Sequence, residues 1–125
     1  MSSTGTADRT TVEFPASAGF RSVGRLVLGG VAARFELPLD RVDDLLLAVD
    51  SLLLQETLGD RITLETEATP TELRVRLGSF RPGQTEDPAV SRVLSRLVDT
   101  VREEPGDGGA TVELVVSATY RAGGA

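Results

Sequence analysis

The stretch VDDLLLAVDSLLLQE (residues 42–56) is typical of one amphipathic helix. Leu47 and Leu54 lie on the opposite side of this helix from its main apolar face, close to Asp43 and Asp50. The helix is therefore apolar on two sides. Either other parts of the chain cover the two leucines, by packing or by filling a pocket, or they form an exposed patch suited to a partner. The main apolar face consists of Val42, Leu45, Leu46, Val49, Leu52 and Leu53.

Patterns on either side of this helix predict the other elements. Val12 and Phe14 alternate with polar residues as in a strand, and SAGFRSVGRLVLGGVAARFEL (17–37) has the apolar spacing of a helix. The stretches RITLETEA (61–68) and TELRVRLGSF (71–80) predict two strands joined by a turn at TPT (69–71).

The last third of the chain predicts one more helix and one more strand. Asp87 and Pro88 suit the start of a helix that continues to Val101, EEPGDGG (103–109) ends it as a solvated acidic loop, and ATVELVVSATY (110–120) alternates as a strand. The order β-α-α-β-β-α-β predicts the α+β class. We expect a single mixed, mostly antiparallel sheet with about three helices packed on one face.

Composition restricts the function. The 125 residues, 40% of them hydrophobic, suit one domain over residues 10–121, with disordered tails at 1–9 and 122–125. The chain has no cysteine and no histidine, and its 13 arginines face 19 acids, giving a net charge of −6. We therefore expect no thiolate metal site and no direct nucleic-acid binding. No apolar run approaches the ~20 residues that span a bilayer, so we expect a cytoplasmic protein without membrane contact.

Three motifs resemble the GHKL (Bergerat-fold, histidine kinase-like) ATPases, and especially the bacterial anti-sigma-factor serine kinases. They are LAVD (47–50) on the second helix, LRVRL (73–77) before a loop that ends in Pro-Gly, and SRLVDTV (95–101) on the third helix. The resemblance covers residues 11–120. It implies the Bergerat fold, and a sigma factor or a STAS-domain anti-sigma antagonist as partner.

The nucleotide-binding motifs of that family are degenerate here. Ser51 and Gln55 replace the family's catalytic Glu and its magnesium-binding Asn, and a serine hydroxyl is no general base without one beside it. Only GGAT (108–111) resembles the family's last glycine-containing turn. The degenerate nucleotide-pocket positions are Ser51, Gln55, Ser79, Arg81, Gly83, Pro88 and Val90.

These substitutions predict that the chain has kept the fold and lost the reaction. We expect a non-catalytic anti-sigma-factor-like regulator that acts by protein–protein binding in a bacterial partner-switching pathway, without catalytic residues, metal or cofactor. Leu47, Leu54, Asp43 and Asp50 are its candidate interface, with a homodimer as one assembly that the sequence leaves open. The alternative is an anti-sigma serine kinase that retains Mg-ATP binding or activity. A third option is a structural or sensory module that binds another ligand in the old pocket.

Overall fold

The computed structural model describes residues 8–35, 37–55, 57–106 and 108–117. These residues form five strands and three α-helices, in the order β1, α1, α2, β2, β3, α3, β4, β5. Their bounds are β1 Asp8–Pro15, α1 Arg21–Phe35, α2 Leu39–Leu53, β2 Arg61–Ala68, β3 Glu72–Phe80, α3 Pro88–Leu97, β4 Thr100–Gly106 and β5 Gly109–Ser117.

The strands form one five-stranded sheet in the order β1-β2-β3-β5-β4, and each pairing between neighbouring strands is antiparallel. The predicted α+β class, with a single sheet and three helices, is confirmed. The hairpin of β2 and β3 turns at TPT as predicted, where the Thr69 amide donates to the Glu72 carbonyl. Pro15 ends β1 at the sheet edge, where the missing amide costs no ladder bond.

One face of the sheet packs on the helices. Strand residues that alternate along β2, β3 and β5 are buried and join the apolar faces of α1 and α2 in one core. The strand residues of this core are Ile62, Leu64, Leu73, Val75, Leu77, Val112, Leu114 and Val116. The predicted strand residues Ala118 and Tyr120 lie outside the described residues.

The other face of the sheet is charged. Glu65 lies opposite Arg76, Arg76 opposite Glu113, and Glu113 opposite Arg102, so charges of alternating sign cross four strands. Glu113 is only 3% exposed, and its carboxylate accepts a 3.1 Å hydrogen bond from Arg76 Nε. A buried carboxylate is tolerated when it is paired in this way. The alternation of apolar and charged residues along these strands therefore places the helices on one face.

Three predicted boundaries are wrong. The third helix ends at Leu97 and does not reach Val101, which lies on β4. The stretch EEPGDGG was predicted as a loop, but residues 103–106 belong to β4, which pairs with β5. The predicted tail is too long by two residues, because Asp8 and Arg9 pair with Ala68 and Glu67. Residues 1–7 and 118–125, which include the rest of the predicted tails, lie outside the described residues.

Candidate functional site

The outer side of α2 and its C-cap carry two exposed leucines. Leu47 is 54% exposed and Leu54 is 69% exposed. They therefore neither fill a pocket nor lie under a neighbouring helix. Asp43 is exposed as well, whereas Asp50 forms a 3.0 Å ion pair with Arg25 of α1. The candidate interface is thus on the surface, with Asp50 held on the side that faces α1.

An apolar groove of about 310 Å³ runs between α2 and α3, and we call it the α2–α3 groove. The side chains that line it are Leu47 and Ser51 from α2, and Val93, Arg96 and Leu97 from α3. Val93 is 43% exposed although it belongs to the apolar pattern of α3. The groove extends the leucine surface of α2 onto a second helix.

The side chains of Ser51 and Gln55 each donate a hydrogen bond to a backbone carbonyl of α2. The Ser51 hydroxyl donates to the Leu47 carbonyl at 3.0 Å, and Gln55 Nε2 donates to the Ser51 carbonyl at 3.0 Å. The carbonyls near a helix end lack intrahelical partners, so the Gln55 contact stabilises the end of α2. Both are hydrogen bonds from a side chain to a backbone carbonyl, a kind that is common near helix ends.

Ser79 does not line this groove. It lines a polar cavity of about 400 Å³ on the charged face of the sheet, together with Arg76, Gly78 and Thr111. The neighbouring Phe80 is fully buried in the core. The structure therefore does not bring Ser51 and Ser79 into one cavity, because they line cavities on opposite faces of the sheet.

Gly83 lies in a loop that Glu103 of β4 holds in place. The Glu103 carboxylate accepts hydrogen bonds from the Gly83 amide at 2.6 Å, the Thr85 amide at 3.0 Å and the Thr85 hydroxyl at 2.7 Å. Burial by itself would raise the pKa of Glu103, but these three hydrogen bonds outweigh it and hold the pKa below its ordinary value. Gly83 has φ of +94°, a conformation that favours glycine. Arg81 is exposed in the same loop.

Pro88 and Val90 begin α3. Asp87 is its N-cap and accepts from the Ala89 amide at 2.9 Å, Pro88 is in the first turn, and Val90 packs against the core. The predicted start of this helix is confirmed. The structure gives both residues roles in forming and packing a helix.

The sequence-based prediction missed three groove residues and Glu103. Val93 and Leu97 belong to the apolar spacing that predicts the third helix, and Arg96 was part of a motif without a role. The sequence carries no signal that Val93 is exposed, because Val90, Val93, Leu94 and Leu97 have the spacing of a single buried face. Glu103 was expected in a solvated acidic loop, and nothing in the sequence pairs it with Gly83 and Thr85, 20 and 18 residues away.

Two comparisons with known proteins find no match. A scan against protein-family models finds no model that matches the chain, and a search of curated proteins finds no significant match. Within the described part of the chain, no group of three or more acidic side chains is placed to hold a metal ion. No helix formed by these residues is long and apolar enough to cross a membrane.

Proposed function

We propose that this chain is a non-catalytic, anti-sigma-factor-like regulator that acts by binding another protein in a bacterial partner-switching pathway. Its partner is a sigma factor or a STAS-domain antagonist, and it acts in the cytoplasm, where sigma factors bind RNA polymerase. The family assignment rests on the resemblance of the LAVD, LRVRL and SRLVDTV motifs. The mode of action rests on the surface of α2 and α3.

One observation carries the mode of action. Leu47 on α2 and Leu54, the C-cap residue that follows it with helical backbone angles, are seven residues apart and both exposed, and Leu47 continues into the α2–α3 groove beside Val93. Residues two turns apart lie on the same side of a helix, so the two leucines form one line. An exposed apolar surface of this kind is typical of protein interaction sites.

The non-catalytic part of the proposal rests on which residues occupy the family's chemical positions. Ser51 stands at the position of the catalytic carboxylate, and its hydroxyl donates to a helix carbonyl. Proton abstraction from a substrate hydroxyl needs a base with a suitable pKa, and the chain has no histidine to provide one through Ser51. Gln55 uses its amide nitrogen at the end of α2.

The test is a double substitution, Leu47→Ser with Leu54→Ser, assayed against the sigma factors and STAS-domain proteins of the source bacterium. We expect one of these proteins to bind the wild type, and the double variant to lose at least tenfold in affinity by biolayer interferometry. Because both leucines are exposed, the free energy of unfolding should change by under about 0.5 kcal/mol per site. Circular dichroism melting checks that the variant remains folded.

Leu26→Ser is the matched control, since Leu26 is 76% exposed on α1, away from the α2–α3 groove. This variant should bind like the wild type. The proposal is wrong if none of the tested proteins binds, or if the double variant and the control bind equally well. Sedimentation of the same variants tests the homodimer, which should dissociate in the double variant if these leucines also join two copies.

A further inference from the structure

Most arginines of this chain are neutralised by nearby carboxylates. Among the described residues, ion pairs are formed by Arg9, Arg25, Arg34, Arg41, Arg61, Arg74, Arg76 and Arg102. This is expected for a chain in which 19 acids outnumber 13 arginines. An exposed arginine without a carboxylate partner is therefore unusual in this protein.

Arg92 and Arg96 are such arginines. Both are exposed on α3, and within the described part of the chain neither forms an ion pair. The negative end of the helix dipole favours a cation at Arg96, in the last turn of α3, but Arg92 lies one turn earlier. The helix dipole thus accounts for the position of Arg96 but not for that of Arg92.

The two arginines border the α2–α3 groove on one side. Arg96 lines it beside Val93, and Arg92 lies four residues before Arg96 on the same outer side of α3. Across the groove, α2 carries the exposed Asp43, one turn before Leu47. The groove therefore has an apolar floor, a basic edge and an acidic edge.

We propose that the α2–α3 groove binds an acidic amphipathic helix of the partner protein, and this inference rests on the proposed function. Apolar side chains of that helix enter the groove between Leu47 and Val93, and its carboxylates pair with Arg92 and Arg96. Asp43 repels carboxylates on the α2 side of the groove. The charges therefore determine that the acidic face of the bound helix points toward α3. A helix is the expected element because the space between two packed helices accepts the side-chain ridge of a third.

The length of α3, which forms one side of the groove, agrees with a bound helix of moderate size. The ten residues of α3 span about 15 Å at the ordinary helical rise. A bound helix of three to four turns covers that distance, with apolar residues at positions i, i+3 and i+7 toward the floor. The acidic residues of the bound helix flank this apolar line, on the side that faces Arg92 and Arg96.

The test uses a displayed library of helical peptides, about 16 residues long, with leucine fixed at i, i+3 and i+7 and all other positions varied. The full chain serves as the target. We expect the enriched peptides to carry more Asp and Glu than the unselected library. They should lose about tenfold in affinity for the Arg92→Glu, Arg96→Glu double variant, because two attractive pairs become repulsive ones.

The double variant Arg34→Glu, Arg61→Glu controls for the same change in net charge, since both arginines are exposed, on α1 and β2, away from the groove. It should leave the affinity of the enriched peptides unchanged. The proposal is overturned if no peptide is enriched, if the enriched peptides show no acidic bias, or if the Arg92, Arg96 variant binds them as tightly as the wild type.

A second variant separates this inference from the proposed function. Peptides that depend on Leu47 but not on Arg92 or Arg96 would refute the acidic helix and leave protein binding through the leucine surface standing. Peptides that bind the Leu47→Ser, Leu54→Ser variant as tightly as the wild type would count against both.

Discussion

At the scale of single residues, the glycines of α1 divide into two kinds. Glycine weakens a helix, and one reason for its presence is the close approach of a neighbour. The structure supports this for Gly24, where an added Cβ would lie 3.1 Å from Cζ of the buried Phe14. At Gly29 and Gly30 an added Cβ would meet nothing within 4 Å. Sequence spacing identifies a glycine in a helix but not what faces it.

Gly24→Ala and Gly30→Ala should therefore change stability in opposite directions. Alanine is favoured over glycine in a helix by roughly 0.5–1 kcal/mol, so Gly30→Ala should stabilise the protein by about that amount. At Gly24 the same gain is opposed by contact with Phe14 in a packed core, where overpacking costs about 1–3 kcal/mol, so the net effect should be a loss. Urea denaturation of both variants measures the difference. Equal effects of the two substitutions would contradict the close approach of Phe14.

At the scale of elements, the end of α3 shows what local pattern misses. Val98 and Val101 continue the apolar spacing of the helix, yet the chain becomes extended at Val98. There the Asp99 amide donates to the Val115 carbonyl, and the Asp99 carboxylate accepts from the Ser117 amide. These contacts with β5 join residues 16 and 18 positions apart, so a short window of sequence does not contain them. The β-branched residues Val98, Thr100 and Val101 were the available local signal.

The loop that contains Gly83 should depend on the charge of Glu103. The carboxylate accepts three hydrogen bonds, and such charge-assisted bonds contribute more than neutral ones, so Glu103→Gln should cost on the order of 1–2 kcal/mol at neutral pH. The folded pKa of Glu103 is lowered, so its contribution is complete above the ordinary glutamate pKa of 4.5. It is lost as the pH falls from there through the lowered folded value.

The measurement is the urea midpoint at pH 7 and at successive values below pH 4.5 for the wild type and for Glu103→Gln. The gap between the two proteins should narrow with acidification, because the wild type loses its charge while the amide does not titrate. Glu104→Gln is the matched control, since the adjacent Glu104 has only a 3.8 Å contact with Arg102. A gap that stays constant with pH would show that the Glu103 charge does not hold the loop.

At the scale of the whole molecule, the fold was more predictable than the site. Alternation along β2, β3 and β5 separates an apolar from a charged face, and that separation predicts one sheet with helices on one side. The site depends on how α2 and α3 pack, and periodicity does not give this. The exposure of Leu47 could be predicted from its position opposite the main apolar face, whereas its meeting with Val93 and Leu97 could not.

The response of the whole domain to Mg-ATP separates the proposed regulator from the alternative serine kinase. A ligand at 100 times its dissociation constant adds about 2.7 kcal/mol to global stability, which for a domain of this size raises the melting temperature by roughly 8 °C or more. We expect no such rise, because Ser51, at the position to which the proposed function assigns the catalytic carboxylate, carries no carboxylate and donates its hydroxyl within α2. The melting temperatures of the wild type and of Gln55→Ala are compared with and without Mg-ATP. Gln84→Ala, the same substitution in the loop before α3, is the control. A rise in the wild type that Gln55→Ala removes and Gln84→Ala keeps would establish nucleotide binding at the end of α2, and the chain would then have to be regarded as an ATP-dependent protein.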